Sequence, residues 1–109
     1  MADICKIETL EALDDLLARS REQPVWVFKH SLTCYISGAA WDQFRRFALQ
    51  EREAVCALIE IQRARPVSNA FAERTGVRHE SPQAILLRDA RVAWYASHYD
   101  INLTALERA

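Results

Sequence analysis

The run Val25-Trp26-Val27-Phe28-Lys29-His30-Ser31-Leu32-Thr33-Cys34-Tyr35-Ile36-Ser37 changes its periodicity halfway along. Val25 to Lys29 is β-branched and aromatic without polar alternation, the pattern of a strand covered on both faces. From Ile36 the apolar residues Ala40, Phe44, Phe47 and Ala48 fall at helical spacing, with Asp42, Gln43, Arg45, Arg46 and Gln50 on the other side. Cys34 therefore stands at a strand-to-helix junction, where Ser31 and Thr33 are both candidate caps. Unpaired amides and the positive end of the helix dipole favour thiolate over thiol at such a place. Three residues on comes Ser37, so the spacing is Cys-x-x-Ser, with one attacking thiol and no second thiol to resolve it.

Outward from this junction the elements alternate. On the N-terminal side, Leu10, Leu13, Leu16 and Leu17 mark a helix with Thr9 as its cap, preceded by a weak edge strand over Ile4 to Ile7. On the C-terminal side, Ala54 to Ile61 reads as a second central strand. Val67, Ala70, Phe71 and Arg74 then give a short helix closed by Gly76. After Ser81-Pro82, the runs Ala84 to Leu87 and Val92 to Tyr95 form a hairpin about Arg88-Asp89-Ala90-Arg91, where Ala90 stands in a position that favours Gly. A last helix spans 101–108, with Asp100 or Asn102 near its cap. A strand–helix–strand unit followed by a helix and a hairpin predicts one α/β domain over 1–109, a central mixed sheet with helices on both faces.

Composition narrows the function. The 109 residues carry fourteen basic and fifteen acidic side chains, twelve of the basic ones being Arg. A net charge of −1 offers no bulk attraction to nucleic acid or to an anionic membrane. No apolar run approaches the roughly 18 residues of a membrane span, and Met1 to Lys6 lacks a signal pattern. Three cysteines, Cys5, Cys34 and Cys56, without Cys-x-x-Cys spacing argue against a disulfide framework or a zinc site. No metal site is expected from the scattered His30, His79 and His98, and a reducing cytoplasm fits best.

With the element order, three features converge: Cys34 at a helix start, the titratable pair Lys29 and His30 near it, and Ser81-Pro82 entering a strand. Together they resemble the thioredoxin-like superfamily. The closer resemblance is to the monothiol bacilliredoxin family. It runs through Phe28 to Cys34 with Ile36-Ser37, through Arg65 to Asn69, through Gly76 to Gln83, and through Ala96 to Ile101. The resemblance implies a single thioredoxin-like domain and a bacterial cytoplasmic thiol–disulfide exchanger. Cys34 would take the bacillithiolyl group from a bacillithiolated client protein, and a second bacillithiol, as the low-molecular-weight thiol, or another reductant would regenerate it. Bacillithiol would thus be a thiol co-substrate, with no tightly bound cofactor. Lys29, His30, Ser31, Thr33, Tyr35, Ile36 and Ser37 would support the active cysteine, and Ser81 and Pro82 would line the substrate groove. In that superfamily the proline is typically cis.

Two positions depart from the family pattern. Tyr35 stands where the family has Pro, and Ala90 where it tends to have Gly. Tyr is larger and restores a backbone N–H beside the cysteine. Cys56, between Val55 and Ala57, reads as a core residue, and Cys5 as a terminal thiol. Trp41 and Tyr35 could line the groove, while the other aromatic residues are most simply core. Two other functions fit the spacing less well. Cys-x-x-Ser glutaredoxins hold an iron–sulfur cluster between subunits, but carry Gly and Phe where this chain has Tyr35 and Ile36. A non-catalytic thioredoxin-like adaptor would follow if Tyr35 blocked the thiol.

Overall fold

A computed structural model describes residues 4–109. The elements follow the expected order: β1 (Ile4–Lys6), α1 (Leu10–Arg19), β2 (Val25–His30), α2 (Tyr35–Gln50), β3 (Val55–Glu60), α3 (Arg65–Thr75), β4 (Gln83–Arg88), β5 (Arg91–Ser97) and α4 (Leu103–Arg108). They form one mixed sheet in the order β1-β3-β2-β4-β5. β1, β3 and β2 are parallel, β4 runs antiparallel to β2, and β5 runs antiparallel to β4. This is the mixed sheet that the order of elements predicts, in the thioredoxin-like arrangement that the family resemblance implies. No helix among the described residues is long and apolar enough to cross a membrane.

The sheet is covered on both sides, and β2 shows why the sequence permits it. Its first five residues are all buried. Alternation sends Val25 and Val27 into a core shared with Leu13 and Leu16 of α1 and Phe71 of α3. Trp26 and Phe28 go the other way, to Phe44 and Phe47 of α2 and Leu106 of α4. In that second layer Trp26 meets Phe47 and Trp94 edge-on, at centroid separations of 5.0 and 5.6 Å.

Local signals account for the helix ends. Thr9 caps α1 by accepting from the Ala12 N–H at 3.1 Å. Gly76 closes α3 at φ +74°, a conformation without penalty only for Gly. Asn102 caps α4, so this helix starts at Leu103 instead of 101. The segment before it, His98–Asp100, is a short 3-10 turn that apolar periodicity did not reveal.

The hairpin tip carries the expected misfit. Asp89 and Ala90 both have positive φ, +52° and +62°, as a type I′ turn requires of its central residues. Buried Ser20 secures them: its carbonyl accepts from the Asp89 N–H at 2.7 Å and its hydroxyl from the Ala90 N–H at 3.0 Å. A left-handed backbone costs a residue with a Cβ about 1 kcal/mol. Ala90→Gly is therefore expected to raise stability by about 0.5–1 kcal/mol, measured by urea unfolding, and an unchanged or lower midpoint would contradict this account of the turn.

Candidate active site

β2 lies between β3 and β4, so its carboxyl end delivers the following loop to the middle of one sheet edge. The register brings the proline segment to the same edge. Lys29 pairs with Gln83, and Gln83 pairs with Ser97. Pro82, immediately before β4, therefore arrives level with the end of β2, and the Ser81–Pro82 peptide is cis. The His98 N–H donates to the Pro82 carbonyl at 3.0 Å, tying the end of β5 to this segment.

Cys34 is itself the N-cap of α2, where the sequence offered Ser31 or Thr33. Its backbone is extended at φ −98° and ψ 123°, and its carbonyl accepts the first helical bond from the Gly38 N–H at 3.2 Å. The side chain makes no capping hydrogen bond. The half-buried sulfur is thus left uncommitted beside the open amides of a helix start.

Ser31 and Thr33 have another task, and Gln62 shares it. The Gln62 Oε1 accepts from the Leu32 N–H at 3.0 Å. Its Nε2 donates to Ser31 Oγ at 2.9 Å and to Thr33 Oγ1 at 3.3 Å. One amide side chain from the turn after β3 therefore holds all three residues that lead into Cys34. Sequence reasoning missed Gln62, because it lies about 30 residues from its partners, just past the end of the expected strand.

Ser37 secures the loop from inside. Sequence reasoning valued it mainly for the thiol it lacks, yet it is fully buried. Its Oγ accepts from the Ser31 N–H at 2.9 Å and lies 2.8 Å from His30 Nδ1. Burial lowers the His30 pKa, against an opposing pull from Glu60. The neutral ring can then accept at Nδ1, so the hydroxyl takes one bond and gives its only proton to the other. His30 also stacks on Trp41 at 5.6 Å between centroids. Trp41 is thereby engaged with His30 and Phe28.

Lys29 and His30, adjacent in sequence, are separated by the strand. His30 faces α2, whereas Lys29 points into the layer formed by α1 and α3. The Lys29 ammonium lies 3.4 Å from the Ser68 carbonyl and 5.8 Å above the Phe71 ring centroid. Of the titratable pair expected near Cys34, Lys29 is 0 % exposed and packs on the sheet face away from α2. Burial lowers its pKa from 10.5 to about 8. Ser68 also reaches His79, its Oγ 3.5 Å from Nδ1. The His79 pKa is lowered by burial first and then by Lys29 and Arg65.

The remaining expected residues divide. Tyr35 is 88 % exposed, while Ile36 is half-buried. The Ser81 hydroxyl is buried and, among the described residues, has no hydrogen-bond partner. Cys56 is fully buried in the sheet, and burial pushes its thiol up to about 12. Such a thiol is inert toward exchange. Cys5 is exposed on β1, at the edge of the sheet away from β5. Among the described residues no group of three His, Cys, Asp or Glu side chains could hold a metal ion.

Two measurements check this geometry. Ser37→Ala strands the Ser31 N–H and His30 Nδ1, and is expected to lower unfolding free energy by about 1–3 kcal/mol; a loss well below that range would show that the hydroxyl is dispensable. For Lys29 the folded pKa lies below the unfolded one. Between about pH 8 and 10.5 the unfolded chain holds more protons, so stability rises with pH across that window. The full effect is about 3 kcal/mol. Lys29→Met is expected to be more stable than the parent at pH 7 and to lack that rise, as read from denaturant midpoints at pH 7 and 10.

Similar proteins fall in line with this geometry. The profile of the family described as "Monothiol bacilliredoxin BrxC" matches residues 5–106. A solved structure, described as a thioredoxin-fold protein of suggested oxidoreductase activity, is 32% identical with a TM-score of 0.84, covering 96% of this chain and 91% of its own. Thioredoxin from Fasciola hepatica superposes with a TM-score of 0.76 at 13% identity, covering 95% of this chain and 93% of that one. Spinach chloroplast thioredoxin f gives 0.74 at 13% identity, with 98% and 93% covered. The latter two speak for the fold alone. With its Cys-x-x-Ser junction on a thioredoxin-like sheet, the chain belongs to the monothiol bacilliredoxin family of thioredoxin-fold oxidoreductases.

Proposed function

We propose that this protein is a monothiol exchanger that removes bacillithiol from mixed disulfides with client proteins, using Cys34. The observation that carries the reading is the uncommitted Cys34 sulfur at the start of α2, with a buried hydroxyl, Ser37, three residues on. A second thiol at that position would allow an internal disulfide. A hydroxyl does not, so the sulfur must pass its load to another molecule.

The chemistry follows from this constraint. The Cys34 thiolate attacks the bacillithiol sulfur of the mixed disulfide. A new Cys34–bacillithiol bond forms, the old disulfide breaks, and the client leaves as a thiolate that takes a proton from water. A second bacillithiol then attacks the bacillithiol sulfur of that bond, giving the symmetrical disulfide and free Cys34. Both steps are two-electron exchanges with no net change in the number of disulfides. The Gln62 and Ser37 bonds hold the approach loop throughout, and Pro82 lines the groove in which the client chain lies. A reducing bacterial cytoplasm supplies the setting.

Mixing the reduced protein with a bacillithiolated client tests the proposal by intact mass. The expected result is one bacillithiol adduct on this protein, mapped to Cys34, with matching loss from the client. Cys34→Ser should show neither. A client that stays modified while Cys34 remains free would end the proposal.

A further inference from the structure

The stretch from Gly76 to Pro82 has neither helix nor strand, yet it must deliver Pro82 level with the end of β2. From Val77 to Ser81, among the described residues, no backbone group bonds to another backbone group. Side chains hold the stretch instead. Gln83 Nε2 donates to the Arg78 carbonyl at 3.1 Å, and Ser68 Oγ lies 3.5 Å from His79 Nδ1. Both tethers lead inward to Lys29. Its ammonium donates to the Ser68 carbonyl at 3.4 Å, and Gln83 is its partner across β2 and β4. Directly opposed residues of antiparallel strands share a face, so the Lys29 and Gln83 side chains enter the same layer. Lys29, Ser68 and Gln83 are all buried.

Stability does not account for this arrangement. Among the described residues the ammonium has no carboxylate partner, and one long hydrogen bond is little return for the water it loses. Gln83 Oε1 and the Ser81 hydroxyl are buried there without any hydrogen-bond partner. Folded interiors leave few such groups. Apolar side chains would fill a strand covered on both faces without that cost. What the polar set does achieve is to fasten the irregular wall before Pro82 to the strand that delivers Cys34.

We propose that Lys29 is a positioning residue for the exchange reaction. Through Ser68 and His79, and beside Gln83 with its bond to Arg78, it fixes the segment that presents Pro82 to the client chain. This rests on the exchange reaction proposed above. Lys29 packs on the sheet face away from α2, and no bond to it forms or breaks. It therefore acts on recognition of the polypeptide around the reacting disulfide, not on the sulfur. Lys29→Met is then both more stable and a poorer exchanger of peptide-bound disulfides.

The test sets two bacillithiol mixed disulfides against each other, with bacillithiol as the regenerating thiol. One carries a peptide of about eight residues with a central cysteine, ~28 Å long when extended. The other carries free cysteine, which offers no chain to the wall. Both kcat and KM are measured on each. In Lys29→Met the preference for the peptide, as a ratio of kcat/KM, is expected to fall roughly tenfold, the loss lying in the peptide KM. Ser68→Ala leaves the buried cation in place and cuts the link to His79, and is expected to lower the ratio about threefold. A ratio that stays at the parent value in Lys29→Met, or a loss carried by kcat on both substrates, would overturn the role.

A second measurement needs no turnover. The His98 N–H donates to the Pro82 carbonyl, so its hydrogen exchange reports on the wall. Although Lys29→Met gains global stability, its His98 amide is expected to exchange about tenfold faster than in the parent. If the parent resolves neither disulfide, the exchange reaction fails and this measurement alone judges the positioning role. A His98 amide that exchanges no faster in Lys29→Met removes it.

Discussion

β2 carries a helical layer on each of its faces, so its first five side chains are buried whichever way they point. Apolar residues meet that demand through Val25 to Phe28. Lys29 does not, and the strand nevertheless draws it inside at zero exposure. Its ammonium finds one carbonyl and one ring face, a thin replacement for water. The depressed pKa is the direct result. A buried ammonium at the last turns of a central strand works against stability while fastening β2 to the first turn of α3. The same strand end governs where the cysteine is delivered.

From that end to Cys34 the chain crosses three residues with no regular structure, and side chains replace the missing ladder bonds. Ser37 holds the loop from within and Gln62 from outside. With the loop backbone so supported, Cys34 can cap α2 through its backbone alone. Its sulfur is spared for chemistry. In this protein Ser37 is more than a missing thiol: its hydroxyl is a structural bond that a thiol, a weak donor and acceptor, would serve poorly.

The opposite wall of the site is assembled from residues far apart in sequence. Pro82, His98 and Glu80 meet because β4 and β5 return to the same sheet edge as β2. The motif from Ala96 to Ile101 then has a physical role, since its left-handed His98 turns the chain from an edge strand into the segment beneath α2. The cavity beside it is lined by Glu80, His98 and Asp100, whereas the cleft at the hairpin gathers Arg21, Arg74 and Arg91 about Asp14.

Much of this was legible in the sequence. A shift from continuous apolar residues to helical spacing located β2, α2 and the cysteine between them, because period and burial are local consequences of side-chain geometry. Gly76 marked the end of α3 and Ala90 the strained turn for equally local reasons. Alternation along β2 sends the neighbours Lys29 and His30 to opposite faces, but which of those faces α2 and its cysteine would cover is a matter of packing that periodicity does not register. Nor does it register hydrogen bonds between segments about 30 residues apart, so Gln62 was invisible and the cap passed from Ser31 or Thr33 to Cys34. Local periodicity determined the order of elements and the thiol at their junction. Only the assembled sheet, by bringing distant polar groups within bonding distance, decided what surrounds that thiol.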